Sequence, residues 1–268
     1  MVRRIIHEPA PRIQPRLAAR RGGMVCSRPM PRDHHVRRAL ALQRDPSLPP
    51  SLELTEGLCA IARPDGAMKE RIERRADPPS CRGGCAVRRF FERAAAEGAD
   101  VELDVGAGYG RFARAHAAAH PELRVLAIEQ ESARVARSDV ISRRAGQTNL
   151  AYLVAEARYA LEFCIPPESV AAAFLLFPDP WPKDRHARNR LFRAPVVSLL
   201  HRLLRRGGVL HAATDDETYF AQMLEVMRGD ERFEPAPPYE RGEDERTDFE
   251  IKFLGQGRTV RAASWRRR

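Results

Sequence analysis

Two short runs of the 268-residue chain combine reactive residue types with tight spacing. The first is Asp104-Val105-Gly106-Ala107-Gly108-Tyr109-Gly110. Gly106 and Gly108 let a chain turn sharply and bring backbone N–H groups against a ligand, and Gly110 continues the series. Asp104, two residues before the first glycine, can face a cation. The dinucleotide fingerprint needs its third glycine or alanine five residues after the first. Arg111 stands there and Gly110 one place earlier, which disfavours a nicotinamide dehydrogenase. The second run is Phe177-Pro178-Asp179-Pro180-Trp181-Pro182-Lys183-Asp184-Arg185-His186. Prolines on both sides of Asp179 restrict its backbone and pre-position the carboxylate. Trp181 offers a stacking plane for a base, and Lys183 and Arg185 can meet phosphates. Read for packing alone, the same run is a rigid turn with a buried Trp.

Both runs need elements to hold them. Apolar patterning predicts strands at Val101–Val105, Arg124–Glu129, Leu150–Val154, Val170–Phe177 and Val209–Ala213, with a late strand at Glu250–Leu254. It predicts helices at Val87–Glu97, Arg111–His120, Ser132–Ala145, Pro195–Arg206 and Asp216–Arg228, with a short one at Ala67–Arg75. Val170–Phe177 is wholly apolar, as suits a central parallel strand covered on both faces. Alternation of this kind specifies an α/β fold with a doubly wound, mostly parallel sheet. Ligands of such sheets lie at the carboxyl ends of the strands, where both runs sit. Glu129 ends the second strand, where an acid can accept hydrogen bonds from two ribose hydroxyls. Glu156 follows the third strand, either as a partner for an adenine amino group or as an exposed loop acid.

The glycine spacing resembles the S-adenosylmethionine (SAM) loop of class I, Rossmann-like methyltransferases. More specifically, Phe177–Lys183, Ala213-Thr214-Asp215, and Arg246-Thr247-Asp248-Phe249-Glu250-Ile251-Lys252-Phe253 with Gly255-Gln256-Gly257 resemble the tRNA (guanine-N7-)-methyltransferase family. Five elements occur in the family's order across about residues 86–260: glycine loop, acid ending strand two, PDPW with a following lysine, ATD, and T-x-x-E. The resemblance implies methyl transfer from SAM to N7 of a guanosine in tRNA. It implies that Asp104, Gly106, Gly108, Gly110, Glu129, Glu156 and Asp179 touch SAM, that Asp179 is also the catalytic acid, and that Lys183, Asp215, Thr247 and Glu250 bind the RNA. Asp104 and Glu156 depart from the family's more usual Glu and Asp, and Pro182 stands where His is frequent. A class I methyltransferase for another nucleic acid or a small molecule fits the glycine loop equally. A SAM-free RNA-binding scaffold fits the altered acids.

Composition bounds these readings. A hydrophobic content of 43% is enough for a packed core. The apolar run at 170–177 is too short to cross a bilayer, and no segment has the layout of a secretory signal. Five cysteines suit a reducing, cytoplasmic setting better than a disulfide scaffold. Neither Cys26 with His34-His35 nor Cys81 with Cys85 completes a metal-ligand set, so no metal is expected. Residues 1–50 carry 11 Arg against 3 acids and eight prolines, which marks residues 1–85 as a basic extension, largely without regular structure, ahead of a methyltransferase domain at 86–268. Residues 201–250 hold 7 basic and 13 acidic residues, and the last 18 hold 6 basic and none acidic. Basic ends suit a polyanion such as nucleic acid, and Arg185, Arg188, Arg190, Arg193, Arg258, Arg261 and Arg266–Arg268 are candidates for a phosphate track.

Overall fold

The computed structural model describes residues 82–182 and 184–268. The expectations for residues 1–81, including the helix at 67–75, and for Lys183 lie outside the described residues.

Helix α1 (Arg82–Glu97) leads into strand β1 (Val101–Val105), helix α2 (Arg111–Ala119), strand β2 (Arg124–Glu129), helix α3 (Ser132–Arg144) and strand β3 (Leu150–Val154). A helical segment, Ala157–Tyr159, widens into a π-helical turn at Ala160–Cys164 before strand β4 (Val170–Leu176). A 3-10 turn (Asp184–Asn189) is followed by helix α4 (Ala194–Leu203), strand β5 (Leu204–Thr214), helix α5 (Glu217–Arg228), strand β6 (Phe233–Ala236), helix α6 (Asp248–Gly255) and strand β7 (Arg261–Arg267).

The seven strands form one sheet in the order β3-β2-β1-β4-β5-β7-β6. β1 to β5 pair in parallel, and β7 runs antiparallel to both β5 and β6. The chain order reverses between β1 and β4. At such a switch point the connections leave in opposite directions and open a crevice at the carboxyl ends. The glycine loop leaves β1 and the proline-flanked turn leaves β4, so both chemistry-bearing runs border this crevice.

Strand alternation gives each face its own core. Leu103, Val105, Leu175 and Leu210 pack with α1, α4 and α5 through Val87, Phe90, Leu200 and Met223. On the other face Phe112, Phe174, Leu176, Phe177 and Ala213 pack with Tyr239, Phe253 and Val260, drawn from the segment between β6 and β7. Phe174 is 1% exposed at the centre of this second face. Its truncation to alanine is expected to cost about 3–5 kcal/mol.

Two expectations are corrected here. Glu250–Leu254 is part of helix α6, not a strand. Thr247 caps it by accepting the Glu250 N–H at 3.0 Å, and S/T-x-x-E is the signature of a helix start. The helix expected through Arg206 ends at Leu203, and β5 begins at once. Gly207 and Gly208 lie inside β5, where its pairing with β4 shifts register. Gly207 takes φ +76°, and a Cβ on Gly208 would come within 2.9 Å of the Arg205 carbonyl. Most of the basic C-terminal run is strand β7, and three of its arginines pair within the chain: Arg261 with Glu217 at 3.3 Å, Arg267 with Glu168 at 2.6 Å and Arg268 with Glu234 at 3.8 Å, while Arg258, just before β7, pairs with Asp215 at 2.5 Å. Part of the charge asymmetry is therefore answered within the chain.

Candidate active site

The glycine loop is shaped by three left-handed residues, Gly106, Gly108 and Gly110, at φ 86°, 59° and 64°. The N–H groups of Gly106 and Ala107 both donate to the Ile128 carbonyl of β2, at 2.8 and 2.9 Å. The Gly108 N–H donates to Oε2 of Glu129 at 2.9 Å, while Oε1 of Glu129 accepts the Glu131 N–H at 2.9 Å. Glu129 thus fastens the loop to the end of β2. Each carboxylate oxygen can accept a second hydrogen bond, and Oε1 also lies 3.8 Å from Nη1 of Arg134. Gly110 has a packing reason as well, because a Cβ there would meet the Tyr152 ring and hydroxyl at 3.0 Å.

Beside this loop lies a cavity of about 210 Å³. Asp104, Gly106 and Gly108 line it together with Phe177 of the second run and Thr247, Asp248, Phe249 and Lys252 of α6. Three motifs separated by up to 148 positions therefore share one wall system. Arg111 helps to join them, its Nε donating to the Arg246 carbonyl at 3.0 Å.

Asp104 is the electrostatic centre of the cavity. Its side chain is 3% exposed, and its Oδ2 has no hydrogen-bond partner. Burial pushes its pKa from 3.8 up to about 7, with the His116 charge opposing and the Glu129 charge adding to the rise. A buried carboxylate without a donor is costly. A cationic group in the cavity would satisfy it and return it to the ionised form.

The proline-flanked turn is bracketed by two non-glycine residues in left-handed backbone, Phe177 at φ 52° and Trp181 at φ 42°. Non-glycine residues reach this region at some cost, and the surroundings must hold them there. Phe177 donates its N–H to the Ala213 carbonyl at 2.8 Å, and its ring lies 6.0 Å from Phe253. Oδ1 of Asp179 accepts the Trp181 N–H at 3.0 Å, which fixes the exposed carboxylate from within its own turn. Arg190 closes the turn from behind. It donates through Nε to the Pro180 carbonyl at 2.6 Å, bonds Gln222 through Nη1 and lies over the Tyr219 ring. At 8% exposure Arg190 is a clamp for the turn and not a member of a surface phosphate track.

The other residues singled out in the sequence are distributed around this frame. Glu156 caps the short helix at 157–159, accepting the N–H groups of Arg158 and Tyr159 at 3.1 and 2.9 Å. Asp215 follows β5 and pairs with Arg258. Glu250 is buried, its two oxygens taken bidentately by Arg241 at 2.8 and 3.0 Å. None of Gly110, Glu129, Glu156, Asp179, Asp215 and Glu250 lines the cavity itself. His116, Arg241 and Tyr239, which the sequence did not single out, brace the site from outside the motifs together with Arg190, whose sequence reading was a phosphate contact. Only the T-x-x-E capping signature gave any local sign of the α6 wall.

The profile of the Methyltransf_4 family ("Putative methyltransferase") matches residues 99–263. The chain belongs to this family. A tRNA (guanine-N(7)-)-methyltransferase of Sodalis glossinidius is 42% identical over 129 residues, which is 48% of this chain and 54% of that protein. One from Nitrosomonas eutropha is 34% identical over 166 residues, 59% of this chain and 72% of that protein. The chain thus spans about half the length of the first relative and more of the second. A crystal structure of the 16S rRNA methyltransferase KamB aligns with TM-score 0.49 at 19% identity, over 66% of this chain and 92% of that one. The matched segment contains the whole sheet apart from the last residues of β7, together with both runs that border the crevice.

Proposed function

We propose that the protein transfers a methyl group from SAM to N7 of a guanosine in tRNA, and that residues 86–268 form the catalytic unit. The observation that carries this reading is the single cavity built from the glycine loop, the start of the PDPW turn and the T-x-x-E helix. The names of the relatives from Sodalis and Nitrosomonas support the choice of substrate. Among the described residues no helix is long and apolar enough to cross a membrane, which is consistent with action on tRNA in the cytoplasm.

The orphaned Asp104 carboxylate fits the cationic methionine end of SAM, and the positive-φ glycines leave the backbone bare on the cavity side. SAM supplies an activated methyl group on sulfur. The chain's own residues hold, orient and shield. Asp104 balances positive charge, and Glu129 keeps Gly108 in place while accepting the ribose hydroxyls. Glu156 reaches adenine only by sharing oxygens that already cap a helix. Guanine N7 carries an in-plane lone pair and no proton, so the site needs no strong general base, and alignment is the main contribution of the protein. Asp179, as the catalytic-site acid, accepts hydrogen bonds from guanine N1–H and N2–H and so turns N7 toward the cavity. Lys183, Asp215 and Thr247 are the RNA-binding residues of this reading. Glu250 acts through Arg241, by keeping the α6 wall in position.

The full chain incubated with SAM and total tRNA, followed by nucleoside analysis, is expected to give 7-methylguanosine. A different methylated nucleoside, or SAM binding without methylation, overturns the assignment. Loss of the product in Asp179→Ala supports the role of that acid, and an unchanged yield removes it.

A further inference from the structure

Two aromatic side chains stand out by their exposure. Among the large apolar side chains that the described residues leave exposed, Tyr109 and Phe249 are the aromatic ones, at 48% and 50%. Both line the cavity beside Asp104, Tyr109 from the glycine loop and Phe249 from the first turn of α6. A half-exposed aromatic ring inside a ligand cavity offers a surface on which a planar group can stack.

Each ring is held in place. Arg114 and Ser138 both donate to the Tyr109 carbonyl at 2.6 Å, which fixes the backbone beneath that ring. Phe249 stacks on Phe253 at 5.9 Å and 21°, and Phe253 in turn approaches Phe177 at the head of the proline-flanked turn. Cations accompany both. The guanidiniums of Arg134 and Arg137 lie 5.5 and 5.6 Å from the Tyr109 ring centre, and Lys252 lines the cavity next to Phe249. Planar stacking surfaces flanked by cations match a nucleobase with its phosphates.

We propose that Tyr109 and Phe249 form the stacking site for the purine that is methylated, with Arg134, Arg137 and Lys252 meeting the phosphates on either side of it. This rests on the nucleic-acid methyltransferase reading and adds to it the residues that hold the base. A target base must leave its stack to reach the donor, and two aromatic surfaces in the cavity offer replacement stacking.

The test compares Tyr109→Leu, Tyr109→Phe, Phe249→Leu and Phe249→Trp in the full chain. SAM affinity is measured by calorimetry. tRNA affinity is measured by fluorescence anisotropy with S-adenosylhomocysteine present, and kcat/KM with an unmodified tRNA transcript. The leucine variants keep apolar bulk without a π-face. They are expected to lose roughly tenfold or more in tRNA affinity and kcat/KM with SAM affinity within about twofold, while Phe at 109 and Trp at 249 recover most of the loss. Leucine variants equal to the wild type toward tRNA overturn the proposal. So does weakened SAM binding with tRNA affinity intact, which would assign the rings to the cofactor. If the wild type makes no 7-methylguanosine, the functional reading fails, and the tRNA affinities of the four variants still decide the stacking site.

Discussion

Nδ1 of His116 lies 2.7 Å from Oε1 of Glu245, and its Nε2 lies 2.6 Å from Oε2 of Glu102. One buried imidazole on α2 therefore bridges β1 and the loop that leads into α6. Tyr239 adds its hydroxyl, donating to Oε1 of Glu245 at 2.9 Å. Burial works against a charge on His116, but the hydrogen bonds and charges of Glu102 and Glu245 outweigh it and hold the pKa above the usual histidine value. An imidazolium donating to two carboxylates satisfies all three groups. The bridge ties the glycine-loop helix to the segment that carries the far wall of the cavity.

Removing this bridge leaves two carboxylates without their shared donor. His116→Ala is expected to lose roughly 3 kcal/mol or more of stability at pH 6. A raised histidine pKa contributes stability that is complete below about 6.5 and lost as pH rises through the folded value. The gap between wild type and variant should narrow in thermal melts taken from pH 6 to 9. A gap that widens with pH contradicts the charged bridge.

Asp104 supplies the converse case. Its pKa of about 7 lies above the ordinary 3.8 because burial disfavours the carboxylate. As pH rises from about 4 to 7 the folded state holds a proton that the unfolded state has released, so stability falls across that window. The full penalty is on the order of 4 kcal/mol. Asp104→Asn without ligand should melt above the wild type at pH 8. Binding of a cation favours the ionised form, so wild-type SAM affinity should rise with pH through 7. In the Asn variant it should be about tenfold weaker or more and flat with pH. Calorimetry at pH 6, 7 and 8 measures both slopes, and a flat wild-type profile counts against Asp104 as the cation partner.

Arg190 holds the strained turn from outside it. Arg190→Gln removes the charged donor to the Pro180 carbonyl and should lower kcat about tenfold or more, because the carboxylate of Asp179 is no longer fixed. SAM affinity should stay near the wild-type value, since Arg190 does not line the cavity. Single-turnover kinetics with tRNA, read beside SAM calorimetry, separate the two. A parallel loss of both would mean that the turn supports the cofactor directly.

His211 stacks on Phe174 at 4.8 Å and bonds Ser264 at 2.7 Å. Burial, then the charges of His116 and Arg241, push its pKa down to about 4. A depressed histidine pKa means that stability is lost as pH falls from about 6.5 toward 4. His211→Phe keeps an aromatic ring on Phe174 without a titrating group, so its stability should fall less steeply over that range. Urea melts at pH 6.5, 5.5 and 4.5 report the slopes, and equal slopes would show that His211 is not an acid-sensitive group.

The parallel strands at 101–105, 124–129 and 150–154 and the apolar run of β4 could be read residue by residue, because each is a local alternation of apolar pattern and glycine or proline punctuation. The cavity's glycine side could be read for the same reason: Asp104 and Gly106–Gly110 are neighbours in the chain. Helix α6 reads as a strand because eight residues hold too few turns for a helical period to stand out, although Thr247 and Glu250 carry the cap signature. Strand β7, rich in arginine, and β6, containing Pro235, resemble exposed tail and loop until their partners are known. The orphaned state of Asp104, the Glu250–Arg241 pair, the clamp by Arg190 and the bridge from His116 to a residue 129 positions away have no local signature. Burial and long-range hydrogen bonding arise when separate elements come together, and no short window of residues holds both partners.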